Sequence, residues 1–141
     1  MTKAEREQFL ADVHVGVLGI AAEGGAPLTV PVWYTYEPGG LVSFLTSRSS
    51  RKAELIERAQ RFSLCAQTEA PPYKYVSVEG PVLAMETDVE PDERRAIAYR
   101  YLGQELGDLY LAATEADAAD NIAIRMRPER WLTVDYAKQF A

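Results

Sequence analysis

The run Leu41-Val-Ser-Phe-Leu-Thr-Ser-Arg-Ser-Ser-Arg-Lys-Ala-Glu-Leu55 holds the reading of the whole chain. Its first part, Leu41 to Leu45, is rich in strand-forming side chains, and the segment Ala53 to Gln60 has the spacing of a helix. Between them, Thr46 to Lys52 crowds hydroxyls and cations at a helix start. The free N–H groups and macrodipole there favour Asp or Glu by roughly 0.3–1 kcal/mol each and disfavour Lys or Arg. Arg51 and Lys52 run against that preference. The segment by itself permits two readings: a solvated basic turn in which Ser50 is only an N-cap, or a site for a dianionic group such as a phosphate monoester.

Composition bears on that choice. At 141 residues with 48% hydrophobic side chains, the chain reads as one domain able to bury a core without disulfides or metal. Its formal net charge of −6 argues against gripping nucleic acid, which needs a clustered basic surface. The basic turn is thus a local exception, better matched to a small anion than to a polyanion. Cys65, the lone cysteine, lies in an apolar run and reads as a buried inert thiol. His14, the lone histidine, leaves no intrachain metal cluster or histidine triad and reads as a strand-end residue. With no signal peptide and no apolar run near membrane-spanning length, a soluble cytoplasmic protein that avoids membranes is expected.

Outward from the quoted stretch, Thr2 to Asp12 reads as a short helix and Val13 to Ile20 as a first strand. Leu28 to Tyr36 reads as a second strand, forming a hairpin with Leu41 to Thr46 across Glu37-Pro-Gly-Gly40. Pro31 cannot donate to a ladder and belongs at an edge or bulge; beside Trp33 and Tyr34 it leaves either an ordinary edge strand or room for a flat ligand against the backbone. Further strands are expected at Phe62 to Glu69, at Tyr73 to Met85 with a bend at Gly80-Pro81, at Ile122 to Arg127 and at Trp131 to Tyr136. Two linked helices are expected from Pro91 to Ala116, broken at Gly103. The sum is a mainly β, α+β chain of six to seven antiparallel strands in a small closed or half-open barrel.

Pro27-Leu-Thr-Val-Pro-Val-Trp-Tyr, Leu41 to Thr46, Ser50-Arg-Lys-Ala-Glu-Leu55 and Tyr75-Val-Ser-Val-Glu-Gly80 resemble the pyridoxamine 5′-phosphate oxidase-like split-barrel superfamily. Tyr99-Arg-Tyr-Leu-Gly103 and Arg125 to Trp131 are similar to its flavin/deazaflavin branch, which uses coenzyme F420. The resemblance implies a homodimer of antiparallel split β-barrels with two cofactor clefts at its interface. It implies that Ser50, Arg51 and Lys52 hold the cofactor phosphate, with Thr46 and Ser47 beside the ribityl chain. It further implies that Val30, Pro31, Val32 and Trp33 back the ring, and that Tyr75 and Trp131 lie near it, Trp131 from the same or the other subunit. The arginine and histidine with which the true oxidase grips pyridoxal phosphate are not recognisable, which disfavours vitamin B6 oxidation.

The function implied is an F420-dependent reductase passing a hydride to an unsaturated small organic substrate, the protein supplying orientation and a dry cleft. FMN is the alternative cofactor, and a non-catalytic cofactor- or tetrapyrrole-binding module the alternative class. Tyr34, Tyr73 and Tyr75 are candidate proton donors. Arg48, Lys74, Arg125 and Arg127 are candidate partners for the acidic tail of F420.

Overall fold

The computed structural model describes residues 1–139. Helix α1 (Lys3–Ala11) is started by Thr2, whose hydroxyl accepts from the Glu5 amide. Strands β1 (Gly16–Ile20), β2 (Leu28–Val32) and β3 (Val42–Ser47) precede α2 (Arg51–Ala59). Strands β4 (Arg61–Gln67) and β5 (Lys74–Glu86) follow, then the long α3 (Pro91–Ala113), a 3-10 turn at Glu115–Asp120, β6 (Asn121–Met126) and β7 (Arg130–Asp135).

The strands form a single antiparallel sheet in the order β2-β1-β4-β5-β6-β3, with β7 added alongside β5. The expected α+β split barrel is therefore present. Strand β5 is its hub: the first half pairs with β4 and β7, and the second half crosses to β6 after a register shift between Val82 and Ala84. The bend starts at Gly80, as expected, and the irregularity in pairing falls two residues later. A Cβ at Gly80 would stand 1.8 Å from the Arg127 carbonyl oxygen, so the β6–β7 connection can cross β5 only where there is no side chain. The Arg127 amide donates to Pro81 O at 3.0 Å and the Glu129 amide to Glu79 O at 2.9 Å, fixing the crossing on both sides.

Alternation along each strand sends one set of side chains inward. Leu18, Ile20, Phe44, Leu64, Val76, Val78, Ile124 and Met126 are all at most 1% exposed. From α2, Ala53, Leu55 and Ile56 close the same core, which is why that helix sits where β3 ends.

One expected pairing does not form. Strand β2 pairs with β1 rather than making a hairpin with β3, and β3 pairs with β6. Only Thr35 bridges to Ser43, through bonds of 2.8 and 3.0 Å. Both bonds of that bridge come from Thr35, so the Tyr34 amide and carbonyl face away from β3, toward His14. The Tyr101 hydroxyl accepts from the Tyr34 amide at 3.0 Å and lies 3.0 Å from Tyr34 O and 2.7 Å from His14 O, so a helix side chain stands where the β1–β2 ladder ends. Pro31 lies on β2, the unpaired edge, as its missing donor requires. Gly103 breaks α3 as expected, at φ 77° and ψ 176°, a conformation open to glycine. Cys65 is half-buried rather than buried, with desolvation pushing its thiol pKa up.

Replacing Gly80 by Ala is expected to lower the unfolding free energy by roughly 3 kcal/mol or more, since backbone must move to admit the methyl group. Urea denaturation reads this directly, and an unshifted midpoint would show that the crossing yields freely.

Candidate functional site

Continued in the antiparallel register of the Thr35–Ser43 bridge, Trp33, Val32 and Pro31 would face Leu45, Thr46 and Ser47. These six residues instead stand apart and line a cavity of about 660 Å³, within the size range of cofactor sites. The cavity is thus the split itself, walled by two strand edges whose ladder was never completed. Val15 ahead of β1, Lys52 from the start of α2, Arg94, Ile97 and Tyr110 from α3, and Thr114, Asp117, Asp120 and Asn121 beyond it complete the wall.

The α2 end of the cavity is rich in donors. Ser50 caps the helix by accepting from the Ala53 amide at 3.2 Å, and its hydroxyl lies 3.0 Å from Thr46 Oγ1. The Glu54 amide is taken by Ser50 O. The amides of Arg51 and Lys52, in the first turn, have no intrahelical acceptor. Lys52 is half-buried at the wall and makes no ion pair among the described residues. Arg51 is exposed, 3.7 Å from Glu54, and is not among the residues lining the cavity.

The opposite wall hangs on aromatic packing. Trp33 stacks on Tyr101 with rings 6° from parallel at 5.2 Å, and meets Tyr110 at 5.1 Å. Tyr101 precedes the break at Gly103 and Tyr110 follows it, so both limbs of α3 hold the same indole. The limbs are further tied by Arg94, which donates to Thr114 Oγ1 at 2.6 Å and Leu111 O at 3.3 Å, covering carbonyl and hydroxyl groups at the helix end.

Of the residues expected at a cofactor site, Pro31, Val32, Trp33, Thr46, Ser47 and Lys52 come together around the cavity, and Ser50 touches them through Thr46. Val30 is on β2 but packs against the core. Tyr75 and Trp131 lie apart from the cavity and on opposite faces of the sheet: Tyr75 pairs with Gln67 and Val134 on the outer face, whereas Trp131 pairs with Val78 and turns inward against Tyr36 and the Arg6 guanidinium. Tyr34 is fully buried and donates to Leu10 O at 2.7 Å; desolvation holds its phenol far above the usual range, which removes it as a proton donor. Tyr73 is exposed away from the cavity lining.

The four cations considered for an acidic tail are all paired within the chain. Arg48 is 3.9 Å from Asp120, Lys74 4.0 Å from Asp135 and Arg127 3.0 Å from Glu129. Arg125 is held at 2.8 Å by Glu93 and 3.1 Å by Glu86, which pins the start of α3 to β6, and its hydrogen bonds hold the Glu86 carboxyl below its ordinary pKa. His14 stacks on Phe9 at 4.3 Å, and burial lowers its pKa. Among the described residues no group of three or more His, Cys, Asp or Glu could hold a metal, and no helix is long and apolar enough to cross a membrane. Sequence reasoning missed Arg94, a charged residue one turn before Ile97 on the expected helix, and Asp117 and Asp120, which lie in a polar segment with no strand or helix periodicity to mark their inward turn. Tyr110 was visible only as one apolar position on a helix.

Comparison with known proteins bears on this geometry. The family described as Pyridoxamine 5′-phosphate oxidase matches residues 2–135. No curated protein sequence matches. Among solved structures, a conserved hypothetical protein of Mycobacterium tuberculosis is 21% identical over 100% of this chain and 89% of its own, with a TM-score of 0.78. An F420 reductase is 21% identical over 89% and 94%, with a TM-score of 0.65. An FAD-binding protein of Mesorhizobium loti is 21% identical over 94% and 92%, with a TM-score of 0.64. At these identities the likeness is one of fold.

Changing Tyr101 to Phe leaves the Tyr34 amide without its acceptor and is expected to cost roughly 1–3 kcal/mol of stability. Amide exchange at Tyr34 should quicken in parallel; protection equal to that of the wild type would mean that another acceptor, such as the His14 carbonyl, replaces the hydroxyl.

Proposed function

The chain belongs to the pyridoxamine 5′-phosphate oxidase family, and on that premise we infer that it is an oxidoreductase whose split cavity takes a ribityl-phosphate cofactor, F420 in the leading reading. One observation carries this. Lys52 and the free amides of α2 gather at one end of a cavity of about 660 Å³ whose sides are two unpaired strand edges. A phosphate monoester brings a charge of about −1.5 to −2 at pH 7, and each charge-assisted hydrogen bond is worth roughly 1.5–3 kcal/mol. Lys52, the Arg51 and Lys52 amides and a modest movement of Arg51 supply such donors without a covalent link. The F420 reductase among the structural neighbours supports the choice of F420, and the FAD-binding neighbour keeps FMN as the second reading.

When bound, F420 in its reduced form supplies a hydride to an unsaturated organic acceptor, which takes up a proton alongside it. The rest falls to the chain. Pro31 and Val32 offer a flat edge with a missing donor for a ring to lie against. Trp33, Ile97 and Tyr110 keep water from the far side, where an acceptor would stand. Vitamin B6 oxidation is disfavoured, because the sole histidine is stacked on Phe9 and is not among the residues lining the cavity.

A homodimer follows from the same reading. Pro31, Val17, Cys65, Ser77 and Leu132 form a continuous row across the outer face of the sheet, and none is charged. Leu132 is 63% exposed and Val17 41%, a surface unsuited to water. Pro31 belongs both to this row and to the cavity wall, so a second copy seated on the row would reach the cavity's edge.

Replacing Arg51 and Lys52 together by Ala is expected to weaken cofactor binding by more than tenfold while leaving the thermal unfolding midpoint nearly unchanged. Titration with F420 and with FMN separates the two readings, and micromolar FMN binding with none of F420 assigns the flavin. In sedimentation, the wild type should run as a dimer and Leu132→Lys as a monomer; a monomeric wild type at micromolar concentration removes the dimer.

A further inference from the structure

The β3 end of the cavity has the opposite hydrogen-bonding character from the α2 end. The Ser47 hydroxyl donates its single proton to an Asp120 carboxylate oxygen. Having given up that proton, Ser47 Oγ can only accept, and it does so from the Ser49 amide at 3.3 Å and from the Ser49 hydroxyl at 3.1 Å. The Asp120 side chain is itself held from behind: its other oxygen is 3.9 Å from the Arg48 guanidinium, and its backbone carbonyl accepts from the Arg48 amide at 2.9 Å. Ser47 and Asp120 therefore present lone pairs, and a negative charge, to the cavity beside a site that is otherwise suited to a dianion.

A phosphate monoester in its dianionic form brings no proton to such a wall and is repelled by it. A polyhydroxylated chain brings several. We propose that Asp120 is a cofactor-specificity residue: it accepts hydrogen bonds from the hydroxyls of the ribityl chain and, through its charge and its hold on Ser47, keeps out anions that carry phosphate without that chain. The proposal rests on the ribityl-phosphate reading and adds to it a residue that turns a general phosphate site into one for a polyol phosphate. Donors at α2 and acceptors at Asp120 then fix the direction in which the chain lies, phosphate toward Lys52 and ring toward Pro31 and Trp33. Asp120 is the last residue of the 3-10 turn, just before β6, where Asn121 pairs with Ser47. The ladder between β3 and β6 thus sets the position of the carboxylate.

The test compares Asp120→Asn with Lys52→Ala, using F420, FMN and methyl phosphate as probes at about pH 8.5, where a phosphate monoester, with a second pKa of about 6, has no proton to donate. Direct titration gives the affinity for each cofactor, and methyl phosphate is measured as a competitor. For Asp120→Asn the tighter-binding cofactor should weaken by about tenfold, the scale of a charge-assisted hydrogen bond, while methyl phosphate should tighten several-fold. For Lys52→Ala both should weaken. Opposite signs for the two ligands cannot come from a damaged fold, which would weaken both. If Asp120→Asn weakens both or tightens both, or leaves cofactor affinity unchanged, the proposal is overturned. A wild-type protein that binds neither F420 nor FMN overturns the ribityl-phosphate reading itself, and this proposal with it.

Discussion

The architecture depends on a backbone crossing that admits no side chain. At Gly80 the β6–β7 connection passes over β5 at a distance that even a methyl group would forbid. Because it does, β5 can serve three neighbours, first β4 and β7 and then β6. A flat sheet has two edges far apart. Bending the shared strand at Gly80-Pro81 brings the edges β2 and β3 round until they meet at Thr35 and Ser43, and almost nowhere else. The cavity is what remains of that incomplete closure.

What keeps the split from zipping shut is equally local. A continued ladder would need donors and acceptors along β2, but Pro31, which would stand opposite Ser47 in the register of the Thr35–Ser43 bridge, has no donor. Helix α3 covers the gap and holds Trp33 at its edge through Tyr101 and Tyr110. The two sides of the cavity nevertheless differ in firmness. The α2 side is built on the core through Ala53, Leu55 and Ile56, whereas the second limb of α3 leaves Leu106 58% and Leu109 64% exposed.

Much of this was legible in the sequence, and the remainder was hidden for physical reasons. Period-two alternation marked the strands, Gly103 marked the break in α3, and the misplaced cations Arg51 and Lys52 marked the donor end of the cavity. Pairing was not legible. Leu28 to Tyr36 and Leu41 to Thr46 have the composition and spacing of a hairpin, and nothing local says that β2 will pair with β1 and that β6, far along the chain, will take β3. Tyr75 and Trp131 sit on opposite faces of the sheet because of a register between β5 and β7 that only long-range packing sets. Asp120 escaped notice because Glu115 to Asp120 is short, acidic and alanine-rich, a composition that reads as solvated surface; its role comes from being delivered beside Ser47 by the β3–β6 ladder.

The clasp of Trp33 between Tyr101 and Tyr110 has an optical consequence. The chain's two indoles stand in unlike surroundings, Trp33 at the cavity wall among phenol rings and Trp131 beneath the Arg6 guanidinium near α1. Ultraviolet emission from the first is positioned to be drained by any visible-absorbing chromophore that enters the split. Emission from the second follows the seating of the N-terminal helix. The molecule thus carries two built-in lamps, one lighting the cavity and the other the packing behind it.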